Sequence, residues 1–279
     1  MIKFDLVEDR FSVNDTLSCK LSILVGVDSF AYMVTDDHNH IKVIREYDFD
    51  KRLHRHRWLD QTLNADKWLQ AGYSHTRIAI DDSRMALSPK RLFREEEKWS
   101  YLAHLSSAAA APEVDVEEVD GFGAVLVYSV LPEIKQRLEQ AFPEAEWTHL
   151  NACLLKALNQ HGQNQPGFHL WVLVKDKQLK IMAFDRGALH FINSFPFYSA
   201  HDFLYYIMLV CQQVGVKPKD TPLYLAGRLM ADSEIYRRLE RYMPKLHFWV
   251  PPTSLVLGDK VKALPSYFFA DLLATRQFG

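Results

Sequence analysis

The sequence predicts a mixed α/β protein with two domains of the same element order. At 279 residues, the chain is roughly twice as long as an ordinary domain. Its hydrophobic fraction of 48% is sufficient for two cores. A series of strand and helix patterns in the first half returns in the second half, which indicates duplication at the scale of a domain. We therefore predict domains at 1–160 and 161–279.

The first half begins with a predicted meander of three strands. Apolar runs rich in strand-forming residues alternate with short polar groups, and short turns between consecutive strands favour antiparallel pairing. A helical spacing of Leu and Trp residues follows and ends at Gly72, and a fourth strand comes next. In chain order, the three strands, the helix and the fourth strand are predicted at 18–26, 30–35, 41–49, 53–71 and 76–80.

The middle of the chain has a less regular pattern. Residues 106–120 are small and then acidic, which is typical of a flexible surface excursion. The group HGQNQPG at 161–167 indicates a linker. The other predicted elements are a short strand, a helix, a strand, a helix opened by proline and a segment that leads into the second half, at 85–93, 94–105, 123–130, 132–142 and 146–158.

The second half repeats the order of the first. Three apolar strand patterns are separated by a charged turn and by the tight turn Asp185-Arg186-Gly187, and a helix, a strand and a second helix follow. No sequence identity links the two copies, so the repeat is one of element order. The second copy is predicted at 169–174, 178–184, 188–197, 200–215, 222–226 and 233–243.

This duplicated order of three strands, a helix, a strand and a helix is the ribonuclease-H-like topology, and two such units in tandem resemble the actin-like ATPase superfamily. The closest resemblance is to the cytoplasmic actin-like proteins of pilus and type II secretion machinery. Residues 123–158 and 169–227 carry it, the first with the helix PEIKQRLEQAF and the segment EWTHLNACLLKAL. A bacterial family of unknown function with an actin-like ATPase fold is a further resemblance.

The resemblance implies a nucleotide site whose motifs are altered in this chain. Actin-like ATPases carry a D-x-G turn after the first strand of each domain, where backbone amides hold phosphates and the Asp holds hydrated Mg²⁺. Val25 and Leu173 stand at the Asp positions, and Lys175 stands at a Gly position. The turn on the adenosine side keeps Gly227 but has Arg228 in place of a second glycine. The resemblance places the cofactor-binding residues at Gly26, Asp28, Ser29, Lys175, Gly227 and Arg228.

These departures predict a non-catalytic protein with a degenerate nucleotide site, no catalytic residue and no cofactor. The alternative is a divergent nucleotide-binding protein or ATPase that uses the cleft between the domains. The resemblance predicts, in either case, a cleft walled by the turns at 25–30, 173–178 and 226–229.

Other catalytic or metal-binding readings have less support. A two-metal nuclease needs carboxylates on adjacent strand ends, and residues 20–25 and 169–174 contain none. We interpret Asp81 and Asp82 as capping or turn residues. The group DDHNH at 36–40 is interpreted as a solvated hairpin tip, so no metal site is predicted. The sequence has neither a phosphate-binding Gly-Lys-Ser/Thr loop nor a nucleophile elbow.

Charge and composition also restrict the partners. The formal net charge of −2 argues against a general nucleic-acid binder. The longest apolar stretch, 203–210, is far shorter than the about 20 residues of a membrane span. The start of the chain has no signal-peptide pattern, and Cys19, Cys153 and Cys211 have no metal or redox spacing. We therefore predict a cytoplasmic protein with reduced thiols.

Three segments are candidates for a protein interface. The basic run at 51–58 is interpreted mainly as the solvated face of a helix whose Leu53, Trp58 and Leu59 point inward, with binding of a phosphate-bearing partner as the alternative. Aromatic clusters at 191–206 and 267–269 predict core packing or a docking surface. We predict that the protein acts by binding an unidentified protein partner, and a small-molecule ligand stays unknown.

Overall fold

The computed structural model describes residues 2–82, 84–105, 113–162, 166–175 and 177–276, which form two units. The first unit holds the described residues up to Lys156, Thr253–Ala263, Thr275 and Arg276. The second holds Ala157–Pro252 and Leu264–Ala274. The predicted domain boundary at residue 160 stays a prediction, because the contacts also group two C-terminal segments with the first unit.

The regular elements are numbered in chain order. The strands are β1 (Ile2–Val7), β2 (Lys20–Val25), β3 (Ser29–Thr35), β4 (Ile41–Asp48), β5 (His75–Ile80), β6 (Met85–Pro89), β7 (Glu113–Val119), β8 (Ala124–Val130), β9 (Glu146–His149), β10 (Phe168–Lys175), β11 (Gln178–Asp185), β12 (Ala188–Pro196), β13 (Leu223–Gly227) and β14 (Leu246–Phe248). The helices are α1 (Arg55–Ala65), α2 (Lys98–Leu102), α3 (Pro132–Ala141), α4 (Leu150–Gly162), α5 (Ala200–Gln213), α6 (Glu234–Glu240), α7 (Asp259–Lys262) and α8 (Ala270–Ala274).

The main sheet of the first unit has the strand order β1-β4-β3-β2-β5-β9. Strands β2, β3 and β4 form the predicted antiparallel meander, and β5 and β9 run parallel to β2. The central strands read as nearly continuous apolar runs because they are buried on both faces. Strand β1, which was not predicted, pairs antiparallel with β4 at the edge.

The sheet of the second unit has the order β12-β11-β10-β13-β14. Strands β10, β11 and β12 are antiparallel, and β13 and β14 run parallel to β10. Without β1, the first sheet has the same order, as the predicted duplication requires. The last strands of the two sheets, β9 and β14, were not predicted. They have four and three residues, which are too few to show the alternation of a strand.

A small sheet of order β6-β8-β7 lies in the chain between β5 and β9. The prediction of a flexible excursion at 106–120 is wrong for residues 113–119, which form β7; residues 106–112 lie outside the described residues. Val114 and Val119 of β7 are buried while Glu113 and Glu118 are exposed. The acidic composition concealed a strand in which Glu113 and Glu118 are exposed, while Glu117 accepts hydrogen bonds from Thr148 Oγ1 and the His149 amide.

Several helix ends differ from their predictions. The helix predicted at 53–71 is α1, which ends at Ala65 because Asp66 adopts an extended backbone. The Asp66 carboxylate accepts hydrogen bonds from the Tyr32 and Tyr47 hydroxyls, both at 2.6 Å, which fixes this chain reversal. The helix predicted at 94–105 is reduced to α2 with short 3₁₀ turns on either side.

Other boundaries lie close to the predictions. Helix α4 continues through Gly162 into the predicted linker, whose residues 163–165 lie outside the described residues. Among the described residues, no helix is both long and apolar enough to span a membrane.

Candidate functional site

The carboxyl ends of β2 and β10 are the places where the predicted nucleotide residues lie. In α/β sheets, ligands bind outside the carboxyl ends of the strands, at the point where the strand order reverses. Strand β2 lies between β3 and β5, and β10 lies between β11 and β13, so each sheet has such a point. The structure places Gly26, Asp28 and Ser29 at the first and Lys175, Gly227 and Arg228 at the second.

In the first unit, a tight turn at Gly26–Ser29 joins β2 to β3. The Gly26 amide donates a hydrogen bond to the Ser29 carbonyl at 2.8 Å. A Cβ atom at Gly26 would lie 3.0 Å from Ser29 Oγ and 3.2 Å from the Ser29 carbonyl oxygen, so a side chain has little room here. The Gly26 amide is therefore already used by the protein, whereas a phosphate-binding turn presents its amides to the ligand.

Arg55 and Phe49 hold the other side of this turn. The Arg55 guanidinium donates to the Val27 carbonyl and lies over the Phe49 ring, 5.4 Å from its centroid. The Phe49 amide donates to the Asp28 carbonyl at 2.9 Å. The interpretation of the basic run as a solvated face is therefore wrong for Arg55, which is half-buried, although Trp58 and Leu59 point inward as predicted.

The space beside the turn is small. A cavity of about 30 Å³ is lined by Gly26, Arg55, Asp82 and residues of β5, β8 and α3. This volume is far below the roughly 300–1,000 Å³ of a typical small-molecule pocket. Asp82 accepts hydrogen bonds from the Arg84 amide at 2.8 Å and from its guanidinium, so it is a turn residue, as predicted.

In the second unit, β10 and β13 approach each other closely at Gly227. This residue has φ of +86°, and a Cβ atom here would lie 2.1 Å from the Val174 carbonyl oxygen. The Arg228 amide donates to the same oxygen at 2.7 Å. The glycine kept from the adenosine-side turn therefore has a structural requirement that does not depend on a nucleotide.

Lys175 and Arg228 both bind the C-terminal part of the second unit. Lys175 Nζ lies 2.6 Å from Oδ2 of Asp271 on α8, and both side chains are buried. Arg228 Nε donates to the Phe268 carbonyl at 3.4 Å, and its guanidinium lies 5.8 Å from the Phe269 ring centroid. Phe268 and Phe269 belong to a 3₁₀ turn at Ser266–Phe269, which precedes α8.

Asp271 and the positioning role of Arg55 were not predicted from the sequence. Asp271 is a single acid in the apolar run FFADLLA, and its signal was that an isolated charge in such a run requires a buried partner. Arg55 carried no comparable signal, because its neighbours in the sequence are also basic and several of them are exposed.

Metal and thiol chemistry have no site in the described part of the chain. No group of three or more His, Cys, Asp or Glu residues there could hold a metal ion. All three cysteines are free and buried. Burial raises the pKa of the Cys153 thiol to about 12 and that of Cys211 to about 11, so these thiols are poor nucleophiles. In the hairpin tip at 36–40, the Asp36 carboxylate accepts from the His38 and His40 amides, as expected of a turn.

The sequence profile of one protein family matches residues 8–246. Because this match covers most of the chain, the protein belongs to that family, which is described as a protein of unknown function (DUF3822). No curated protein matches the sequence at a significant level.

Three solved structures resemble the chain over most of its length. A Bacteroides thetaiotaomicron VPI-5482 protein with an actin-like ATPase fold and unknown function has a TM-score of 0.78 at 20% identity, covering 86% of this chain and 93% of that one. A chain of the PilM–PilN type IV pilus biogenesis complex has a TM-score of 0.58 at 11% identity, covering 92% and 98%. The ethanolamine utilization protein EutJ from Carboxydothermus hydrogenoformans has a TM-score of 0.50 at 10% identity, covering 98% and 93%.

At these identities the similarity shows the fold alone. The protein has the actin-like ATPase fold, which contains two ribonuclease-H-like domains. This confirms the fold class and the resemblance that the duplicated element order predicted, including the resemblance to pilus proteins and to a family of unknown function.

Proposed function

We propose that this member of DUF3822 is a non-catalytic protein that acts by binding a protein partner, and that its actin-like nucleotide site is degenerate. The observation that carries the proposal is the buried ion pair between Lys175 and Asp271, at 2.6 Å. A lysine at the position of a phosphate-binding glycine would favour an anion, but this lysine already has one supplied by the protein.

A nucleotide phosphate at this position would have to replace the Asp271 carboxylate. Removing one partner of a buried ion pair typically costs about 3–5 kcal/mol, because the other charge stays buried. The phosphate would also have to displace α8, which holds the carboxylate and is itself buried. The carboxylate of Asp271, a residue of the same unit, thus neutralises Lys175 without a phosphate.

The first unit supports the same proposal. Val25, at the position of the Mg²⁺-binding Asp, offers no oxygen ligand from its side chain. The Gly26 amide and the carbonyls of Val27 and Asp28 are bonded within the protein. Hydrolysis requires positioned groups that hold the metal and orient water, and Asp28 is the one carboxylate of the Gly26–Ser29 turn.

A protein partner is supported by exposed aromatic side chains. In the aromatic segment at 191–206, Phe191, Phe195 and Tyr206 pack against the core of the second unit. Tyr198 and Tyr205 are 78% and 55% exposed. Exposed tyrosines are frequent interface anchors. The PilM–PilN structure is that of a complex, and by analogy of fold we extend partner binding to this chain.

A cytoplasmic location belongs to the same proposal. It is supported by three buried thiols without a disulfide, which suit a reducing compartment. Cell fractionation with an antibody against the native protein tests this part by itself.

Calorimetric titration of the pure full-length protein with ATP and Mg²⁺ tests the nucleotide part of the proposal. We expect no binding heat and no release of phosphate above background. The matched variant is Asp28→Ala, since Asp28 is half-exposed and its side chain can be removed with little effect on folding. Saturable ATP binding, or turnover that disappears in Asp28→Ala, would contradict the proposal and favour the divergent ATPase.

A further inference from the structure

A cavity lies at the end of the first sheet opposite to the Gly26–Ser29 turn. It has a volume of about 280 Å³ and is lined by residues 71–76, which lead into β5, and residues 141–145, which join α3 to β9. We call it the amino-end cavity, because β5 and β9 are parallel neighbours whose amino ends meet there. Its volume is close to the lower limit of small-molecule pockets, so it suits a small ligand.

The last turn of α3 supplies hydrogen-bond acceptors at this cavity. The Glu139 carbonyl has no helical donor, because the residue four positions later is Pro143, which lacks an amide hydrogen. The Ala141 carbonyl also lacks its helical donor, because the Ala145 amide donates to the Phe142 carbonyl at 3.1 Å instead. The last turn contains no basic residue, so the negative end of this helix has no cation of its own.

Two hydroxyl groups of the lining also present acceptors to a ligand. The Tyr73 hydroxyl donates to the Trp68 carbonyl at 2.7 Å, and the Ser74 hydroxyl donates to the Cys19 carbonyl at 2.8 Å. Because each hydroxyl has a single hydrogen, its oxygen can only accept a further hydrogen bond. A ligand that donates hydrogen bonds therefore suits these groups.

The uncompensated charge at the amino-end cavity is negative. Glu144 lines the cavity, and its carboxylate has no hydrogen-bond or ion-pair partner among the described residues. Neither Lys nor Arg belongs to the lining. Glu146, which follows the lining, compensates the charge of Arg77 at 2.6 Å, and its carboxylate lies 3.3 Å from Nε2 of His75. With a neutral imidazole at His75, the charge of Glu144 is left over.

We infer that the amino-end cavity binds the ammonium or guanidinium group of a small organic cation. The nitrogen of the ligand donates hydrogen bonds to the carbonyls at the end of α3 and to the hydroxyl oxygens, and the Glu144 carboxylate balances its charge. Tyr73 and Phe142 contribute aromatic surface to the lining, and aromatic rings attract organic cations. The inference goes beyond the proposed function, because this cavity belongs to the first unit and the exposed tyrosines proposed for a partner belong to the second.

An anion or a metal ion suits this cavity less well. An anion would lie beside the Glu144 carboxylate and the negative end of α3, which both oppose its charge. Among the residues that the structure describes, no group of three or more His, Cys, Asp or Glu side chains could hold a metal ion. An organic cation matches both the acceptors and the charge.

Calorimetric titration of the full-length protein at pH 8 and low salt tests the inference with four probes. Histidine side chains are ordinarily neutral at this pH. Putrescine and agmatine, which end in ammonium and guanidinium groups, should bind with a stoichiometry of one. The neutral analogue 1,4-butanediol and inorganic phosphate should not bind.

Charge variants of Glu144 provide the second measurement. Glu144→Gln should weaken agmatine binding about threefold, because water screens an exposed carboxylate. Glu144→Lys should weaken it by about tenfold or more, because the new ammonium group opposes the ligand. The matched control is Glu96→Gln, which removes the same charge from an exposed glutamate of this unit outside the lining and should bind agmatine as the wild type does.

Amide chemical shifts locate the bound ligand. Agmatine should shift the amide resonances of residues 71–76 and 141–145. Equal binding of 1,4-butanediol, unchanged affinity of Glu144→Lys, binding of phosphate at these amides, or no binding of either amine at about 10 mM would each overturn the inference.

A blocked tripeptide with a central arginine separates a small molecule from a protein side chain. We expect it to bind more weakly than agmatine, because its backbone adds bulk at both sides of the side chain. Equal or tighter binding of the tripeptide would place the guanidinium on a protein partner and overturn the assignment to a small molecule.

Discussion

In each unit, contacts within the protein hold the carboxyl end of the first meander strand, β2 or β10. These contacts, here called the closure of the unit, differ between the two units. At the end of β2, the turn at Gly26–Ser29 is held by main-chain hydrogen bonds and by Arg55, whose guanidinium binds a neutral carbonyl. At the end of β10, Lys175 is held by the carboxylate of Asp271. The first closure depends on the geometry of a short turn, and the second depends on a charge brought from a segment far along the chain. The shared strand order therefore fixes where the ends lie without fixing their chemistry.

Two ion pairs of equal length show how burial changes this chemistry. Arg77 and Glu146 in the first unit and Lys175 and Asp271 in the second both have a nitrogen–oxygen distance of 2.6 Å. The Glu146 side chain is 56% exposed, whereas that of Asp271 is 6% exposed. Water screens the first pair and is largely excluded from the second. We expect their removal to have very different effects.

The largest effect is expected for Asp271→Ala. This change leaves the Lys175 ammonium buried without its carboxylate, and we expect unfolding free energy to fall by about 4 kcal/mol. Urea unfolding followed with hydrogen exchange at β10 measures the loss. The control is the double variant Lys175→Met/Asp271→Leu, which removes both charges and should recover most of the stability. A loss below about 1 kcal/mol for Asp271→Ala would show that the second closure does not depend on this charge.

Gly227→Ala should have the next largest effect, about 3 kcal/mol, because its Cβ would collide with the Val174 carbonyl and its backbone has positive φ. Gly215→Ala is the matched control, since Gly215 has φ of +73° and no atom within 4 Å of its added Cβ. The control should lose about 1 kcal/mol from backbone strain alone. Equal thermal destabilisation of the two variants would mean that close strand approach does not explain Gly227.

Arg55→Met tests the closure of the first unit. It removes the bond to the Val27 carbonyl and the contact with the Phe49 ring, and we expect a loss of about 1–2 kcal/mol. Arg52→Met is the control, because Arg52 is 89% exposed and pairs with Asp50 in its own turn. Chemical denaturation should show no measurable change for this control. If both variants unfold like the wild type, Arg55 belongs to the solvated face after all.

Glu146→Gln should have the smallest effect. The hydrogen bond from Arg77 lowers the pKa of the Glu146 carboxyl below its usual value. Its ionised form therefore stabilises the fold above the unfolded pKa, and this contribution is lost as pH falls through the folded pKa. At neutral pH we expect a loss below about 1 kcal/mol because the carboxylate is exposed. Stability curves of the variant and the wild type should converge as pH falls through the lowered pKa of the folded state; a difference that persists at still lower pH would exclude the ion pair as its cause.

The repeated architecture could be predicted from the sequence, because the spacing of apolar residues indicates each strand and helix locally. Apolar runs predicted β2, β3 and β10 close to their observed bounds, and the order of elements predicted the four strands β2–β5 of the first sheet and the four strands β10–β13 of the second. Local patterns failed where a strand was short or its composition misleading. Strand β14 has three residues, and four of the seven residues of β7 are acids.

The candidate site was predicted only in part. The turn at Gly26–Ser29 and the position of Gly227 followed from the family resemblance and from their place after a strand. What each residue binds did not follow. Arg55 was assigned to solvent, because nothing in a basic run distinguishes the one guanidinium that reaches a carbonyl nearly thirty positions earlier.

The sequence by itself determined that this chain has two units of one topology, since strand and helix periods depend on neighbouring residues. Only the tertiary structure shows which contacts within each unit hold the carboxyl ends of β2 and β10. Lys175 and Asp271 are separated by 96 positions, and their contact exists because α8 packs on the second sheet. Long-range pairing of buried charges depends on how elements pack, which no local pattern records.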